Sequence, residues 1–188
     1  MGPVTTLTEL DEARFTEKID AMLAVYTAAM RPEPQQLAGR RSIMARHVGN
    51  PGFRALAVTD GSGELIAFTY GFHGVHGQWW HDMVSYALAA SAGASRSAEW
   101  MSDSFEIAEL HVLPAHQGRG IGTNLLLRLA AGRAERTAVL STHDTDSPAR
   151  HLYRKLGFTD LLTSFRFSGW DPLYAVMGAR LPLPGIPS

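Results

Sequence analysis

Apolar residues recur at Phe15, Ile19, Met22, Leu23 and Tyr26, the spacing that turns one face of a helix toward a core. Acidic Asp11 and Glu12 stand at its start, where the helix dipole favours them. A short strand over Val4–Leu7 is expected ahead of this helix. Arg31-Pro32-Glu33-Pro34 ends it, because proline lacks an amide donor and disfavours helical dihedrals in the preceding residue. A second helix is then expected from Gln35 to about His47. Phe53–Thr59 and Leu65–Phe72 are short runs rich in β-branched and aromatic residues, and Asp60-Gly61-Ser62-Gly63 between them has the chemistry of a hairpin turn. Residues 73–104 follow no clear period. Small residues from Ala87 to Ala98 are ringed by Trp79, Trp80, Met83, Tyr86, Trp100 and Met101, and the stretch reads as an irregular, partly helical insertion. From Phe105 the pattern becomes strand (Phe105–Val112), loop (Leu113–Arg119), helix (Gly120 to about Arg133) and strand again (Thr137–Thr142). Ser147 and Pro148 suit an N-cap and first helical position, and Gly157 suits the left-handed stop. Phe158–Phe167 and Leu173–Met177 supply final strands. One domain over residues 1–180 is expected, with 73–104 as an insertion and 181–188 as an extended tail.

Composition narrows the function. A chain of 188 residues, 45% hydrophobic and 19% charged, suits one globular core. Seventeen Lys plus Arg against eighteen Asp plus Glu leave a net charge of -1, so no excess of positive charge is available for a nucleic-acid backbone. The absence of cysteine removes disulfides, thiol nucleophiles and cysteine-ligated metals. No basic-then-apolar leader opens the chain, and no apolar run approaches the ~20 residues that span a bilayer. A cytoplasmic protein with no membrane partner is expected. His73-x-x-His76 with His81 and Asp82 matches neither the His-Glu-x-x-His helix nor a zinc finger, and no metal is expected.

The most informative segment is Val112-Leu113-Pro114-Ala115-His116-Gln117-Gly118-Arg119-Gly120-Ile121-Gly122-Thr123, between a strand and an apolar helix. Its glycines let the backbone turn sharply and clear side chains from the path of a ligand, so that amides and a helix N-terminus converge on one anion. The nucleoside-triphosphate loop is excluded, since no Lys-Ser/Thr follows the last glycine. The dinucleotide fingerprint fails as well: counted from Gly118, its third glycine falls on Thr123.

Gln117-x-x-Gly120-x-Gly122, preceded by Val-x-Pro and followed by an apolar helix, resembles the acetyl-CoA motif of the GNAT N-acetyltransferase superfamily. Ser147-Pro148-Ala149-Arg150-His151-Leu152-Tyr153-Arg154-Lys155-Leu156-Gly157-Phe158 is similar to its second signature, a helix with tyrosine ending in Leu-Gly-Phe. The resemblance implies an α/β fold: a GNAT-like mixed central β-sheet flanked by α-helices, here with an insertion between strands 3 and 4. It implies that Gln117, Gly118, Arg119, Gly120, Ile121, Gly122 and Thr123 hold the CoA pyrophosphate through their amides. It also implies that the backbone of Leu110, His111 and Val112 pairs with the pantetheine like an added strand. The family often has asparagine where Asp146 stands, a departure at a pantetheine contact. Arg119, Arg150, Arg154 and Lys155 are candidates for the ribose phosphate, each more readily read as a solvated surface charge. Homodimerisation is a family-level expectation.

The chemistry implied is direct attack of an amine on the thioester of acetyl-CoA, which acts as co-substrate. An alkylamine with pKa about 10.4 is almost wholly protonated at neutral pH, so a base must assist. Glu106 and Glu109 are the candidates. Strand alternation puts Glu106 with Ala108, Leu110 and Val112, and Glu109 with Phe105, Ile107 and His111, so one face serves one glutamate. His111 is a further candidate on the Glu109 face. Tyr153 is the general acid that the resemblance implies, although Ala149, Leu152, Tyr153 and Leu156 also form an ordinary core-facing stripe. Trp79, Trp80, Trp100 and Tyr86 either line an acceptor pocket or anchor the insertion, and Asp82, Glu99 and Asp103 either attract a cationic amine or are solvated acids. The expected activity is acetylation of a primary amine on a small molecule. The alternatives are acetylation of a protein N-terminus or lysine, and a noncatalytic acyl-CoA-binding module.

Overall fold

A computed structural model of the chain describes residues 4–169 and 171–185. In chain order the elements are β1 (Thr6–Leu10), α1 (Glu12–Met30), α2 (Pro34–Leu37), α3 (Arg40–His47), β2 (Arg54–Thr59), β3 (Leu65–His73), α4 (Trp79–Ala92), α5 (Ala94–Met101), β4 (Ser104–Val112), a 3-10 turn (Pro114–His116), α6 (Ile121–Ala130), β5 (Thr137–His143), α7 (Pro148–Lys155), β6 (Thr159–Phe165) and β7 (Tyr174–Arg180). The described residues group into two compact units, 4–72 with 108–129, and 73–107 with the described part of 130–185. The last three residues of the expected tail, 186–188, lie outside the described residues.

In the first unit the strand order is β1-β2-β3-β4, with β1–β2 and β2–β3 antiparallel. Helix α1 starts as its sequence dictates: the Asp11 side chain accepts from the Arg14 amide at 2.8 Å. Its apolar face, Phe15, Ile19, Met22 and Tyr26, is buried in a core with Ala55, Ala57, Phe68, Tyr70 and Phe72. The Phe15 ring meets those of Phe53 and Tyr70 edge-on, both at 5.0 Å. The single helix expected over 35–47 is instead two, because Gly39 takes a φ of 77° between them. The hairpin turn forms as expected, with the Asp60 carboxylate accepting from the Ser62 amide at 2.9 Å and the Glu64 amide at 3.1 Å.

In the second unit the order is β4-β5-β7-β6; β4 and β5 run parallel, while β5–β7 and β6–β7 are antiparallel, so the sheet is mixed. The insertion is more ordered than its sequence suggested: α4 and α5 form a helical pair joined at Gly93. The run of small residues that erased the helical period lets the two helices approach closely, and the Ser97 hydroxyl donates to the Ser85 carbonyl at 2.8 Å. Val84, Leu88, Trp100 and Met101 pack with Val139 of β5 and Val176 of β7. Gly178 is required beneath Trp100, since a Cβ there would lie 2.7 Å from the indole. Helix α7 begins with the Ser147 side chain accepting from the Arg150 amide at 3.2 Å, and Gly157 ends its last turn at φ 89°. Among the described residues, no helix is long and apolar enough to cross a membrane.

Candidate active site

The glycine loop belongs to the first unit. The Leu113 amide donates to the Ile66 carbonyl at 2.8 Å, which pins the end of β4 to β3. The Gln117 side-chain amide donates back to the Val112 carbonyl at 2.9 Å, so Gln117 shapes the loop through its side chain. Gly118 and Gly120 have φ of 73° and 78°, the left-handed region that excludes branched side chains, and a Cβ at either would meet nothing within 4 Å. The first amide committed to the following helix is that of Asn124, which donates to the Gly120 carbonyl at 3.0 Å. The amides of Gly118 through Thr123 donate to no group among the described residues. A helix N-terminus always leaves its first amides unpaired, and here the glycine loop lengthens that row into an open, electropositive cradle suited to a pyrophosphate.

Strand β4 ends in this loop. Its pairing with β5 covers Ser104 to Glu106 opposite Thr137 to Val139, and Leu110, His111 and Val112 lie beyond it, half-buried. Glu109 and His111 share a face, as alternation requires, and are hydrogen-bonded through Glu109 Oε2 and His111 Nε2. The other carboxylate oxygen of Glu109 binds the Arg40 guanidinium, which also lies over the Tyr26 ring at 4.2 Å. The backbone carbonyl of Glu109 accepts from the Thr69 hydroxyl at 2.7 Å. Tyr26 and Phe68 flank the His111 ring at 5.1 and 5.5 Å. Beside them the His47 Nδ1 and the Tyr70 hydroxyl are 2.9 Å apart. Burial pushes the Glu109 carboxyl up, but the His111 hydrogen bond and the Arg40 charge outweigh it and hold it below the ordinary carboxylate range. Burial pushes the His47 imidazole down to about 4, against the pull of Glu109. Tyr26, Arg40, His47 and Tyr70 were not singled out by the sequence. Arg40 reaches Glu109 across 69 residues, and no local pattern announces such a pair.

The remaining expected site residues, Arg119 apart, belong to the second unit. Glu106 is buried, on the opposite pleat of β4 from Glu109. Tyr153 is buried on α7, its ring 5.8 Å from that of Phe158. Asp146 is exposed and paired with His151 at 2.5 Å. Arg150 is corrected as a phosphate ligand: it is buried and bridges Asp144 and Asp160. Arg154 also pairs with Asp160, at 3.3 Å, while Arg119 and Lys155 are exposed.

The aromatic set of the insertion divides. Trp100 is core, covered by Arg180 at 4.4 Å. Trp79 packs on Phe167 at 5.6 Å, the Trp80 indole donates to the Ser141 hydroxyl at 3.1 Å, and Tyr86 points to solvent. The acids considered as attractors of an amine are engaged locally: Glu99 with Arg96 and Arg180, Asp103 with Arg136, Asp82 with His76. The histidines go to separate partners, His73 to Glu135 at 3.2 Å and His81 Nε2 to the Met101 carbonyl at 3.0 Å. Among the described residues no group of three His, Cys, Asp or Glu is arranged to hold a metal ion.

Comparison with known proteins places the chain in a family. Residues 56–160 match the acetyltransferase (GNAT) domain family. A GCN5-like protein acetyltransferase of Mycobacterium tuberculosis is 32% identical over 94% of this chain and 98% of its own length. The ribosomal-protein-S18-alanine N-acetyltransferase of Escherichia coli superposes with a TM-score of 0.63 at 17% identity, covering 94% of each chain. A PaiA N-acetyltransferase of Thermoplasma acidophilum, solved in complex with coenzyme A, gives 0.60 at 13% identity over 94% of this chain and 99% of its own. At those identities the two structures speak to fold alone, whereas the matched domain and the full-length relative fix descent: the chain belongs to the GNAT acetyltransferase family.

Proposed function

We infer that this protein moves the acetyl group of acetyl-CoA to a primary amine by direct attack of the amine nitrogen on the thioester carbonyl. The observation that carries the reading is the row of uncommitted amides from Gly118 to Thr123 over an open glycine loop. That arrangement suits a pyrophosphate and asks nothing of a metal. Leu110 to Val112 would bind the pantetheine amides through the main chain. The Glu109 and His111 cluster supplies proton-accepting chemistry near the end of β4. Tyr153 takes the part of general acid toward the departing thiolate on the strength of the family resemblance, and Glu106 stays a candidate base on the same footing.

The acceptor we favour is an amine of a protein, a lysine or an N-terminus, in place of the small molecule expected from the residues. The support is the relative sharing 32% identity over nearly its whole length, which is named a protein acetyltransferase. The test is release of free thiol from acetyl-CoA over a panel of lysine peptides, free N-terminal peptides and small amines, repeated with Glu106→Gln, Glu109→Gln and Tyr153→Phe. Release with peptides and loss of it in Tyr153→Phe is the expected result. Coenzyme binding without thiol release from any acceptor would defeat it and leave a noncatalytic acyl-CoA-binding module.

A further inference from the structure

Acetyl transfer requires a group that takes a proton from the incoming ammonium, and the polar cluster of the first unit contains two acceptors side by side. We propose that His111 takes this proton through Nδ1 and that Glu109 is the residue that positions it. This rests on the acetyl-transfer reading and specifies its base.

Both carboxylate oxygens of Glu109 are engaged, Oε1 by the Arg40 guanidinium and Oε2 by His111 Nε2, and the side chain is 12% exposed. Accepting a proton from substrate would sacrifice one of two charge-assisted bonds in a buried setting. His111 stands differently. An ionised carboxylate can only accept, so its bond fixes the proton of the neutral imidazole on Nε2 and leaves the lone pair on Nδ1. Nδ1 has no hydrogen-bond partner among the described residues and is not among the fully buried polar atoms that lack one, so it keeps some access to solvent although the side chain is only 10% exposed. Tyr26 and Phe68 hold the ring from two sides, which fixes its direction.

The other titratable and charged groups facing this pair are Tyr26 on α1, Arg40 and His47 on α3, and Tyr70 on β3. Burial keeps His47 uncharged at neutral pH and raises Tyr26 above its ordinary value, so neither changes charge there. Arg40 and Glu109 neutralise one another. That leaves His111 Nδ1 as the acceptor of the cluster that has no partner among the described residues. In the reaction the ammonium gives a proton to Nδ1, and the released lone pair forms the C–N bond as the carbonyl becomes tetrahedral. Collapse breaks the C–S bond, the thiolate takes up a proton as the new amide nitrogen loses one, and the imidazolium returns its proton to solvent. The products are amide, thiol and one proton.

The test is kcat/KM against pH for the wild type, His111→Gln and Glu109→Gln, with the coenzyme-induced melting shift measured on each. The wild type should show a limb that rises with pH, as general-base assistance requires. His111→Gln should lose that limb and fall by about 100-fold or more at pH 7, the range of a lost general base. Imidazole added to His111→Gly should restore part of the rate. Glu109→Gln still offers an oxygen to the Nε2 proton, so it should keep the limb and lose about 10- to 100-fold, as an orienting partner does. A Glu109→Gln variant without the limb beside a His111→Gln variant that retains it would overturn the proposal. A wild type that shows no melting shift with coenzyme would instead overturn the acetyl-CoA reading beneath it.

Discussion

The His47 ring packs 4.9 Å from Phe72, its Nδ1 meets the Tyr70 hydroxyl, and burial depresses its folded-state pKa from the ordinary 6.5 to about 4. Between those two values the unfolded chain binds a proton that the folded chain refuses, so stability must rise with pH across this window and drain away as pH falls through it. The proton-linkage relation gives a loss of about 2 kcal/mol between pH 7 and pH 5, approaching about 3 kcal/mol when pH reaches 4. His47→Gln keeps a polar group toward Tyr70 but cannot titrate. Urea unfolding at pH 7 and pH 5 should therefore show a drop for the wild type larger by about 2 kcal/mol than the drop for His47→Gln. Glu109 makes a separate contribution of opposite origin: its carboxyl is held low in the fold, so its stabilisation is complete above the ordinary carboxylate range and disappears below it. The two windows are resolved by working at pH 5 and above. Equal pH dependence in wild type and His47→Gln would refute the claim that this imidazole is held neutral by burial.

Two further outcomes follow from the geometry. Acetyl-CoA at one hundred times its Kd should stabilise the protein by about 2.7 kcal/mol, read as a rise in Tm; Gly120→Val should abolish the rise, because a branched residue cannot adopt φ 78° and would project into the cradle. Arg150→Ala should cost about 1–3 kcal/mol in urea unfolding, since it leaves the largely buried Asp144 without its cation while Asp160 keeps Arg154; a loss no larger than that of an exposed surface charge would contradict the structural role given to Arg150.

The parts of this molecule that announce themselves in sequence are those determined by near neighbours. The glycines at 118 and 120, the Ser147-Pro148 helix start and the Gly157 stop each satisfy a local backbone demand, and the structure uses them that way. The shared face of Glu109 and His111 followed from the pleat of one strand. The order of residues 73–104 was hidden because Ala and Ser carry too little hydrophobic contrast to mark a face, although they are what allows α4 and α5 to pack. The pairing of Arg40 with Glu109 and the burial of Arg150 were hidden for another reason. Each depends on long-range folding, and an arginine destined for an interior ion pair has the same local signature as one in water.

The loop amides from Gly118 to Thr123 have a biochemical consequence of their own. Peptide nitrogens register negative charge and tetrahedral shape, and neither property separates one phosphorylated metabolite from another. Nucleoside triphosphates, free pyrophosphate and sulfate present such amides with the same charge and shape. On the proposed acetyl-CoA reading, discrimination falls to whatever reads the long sulfur-bearing arm, and the anion grip supplies adhesion without identity.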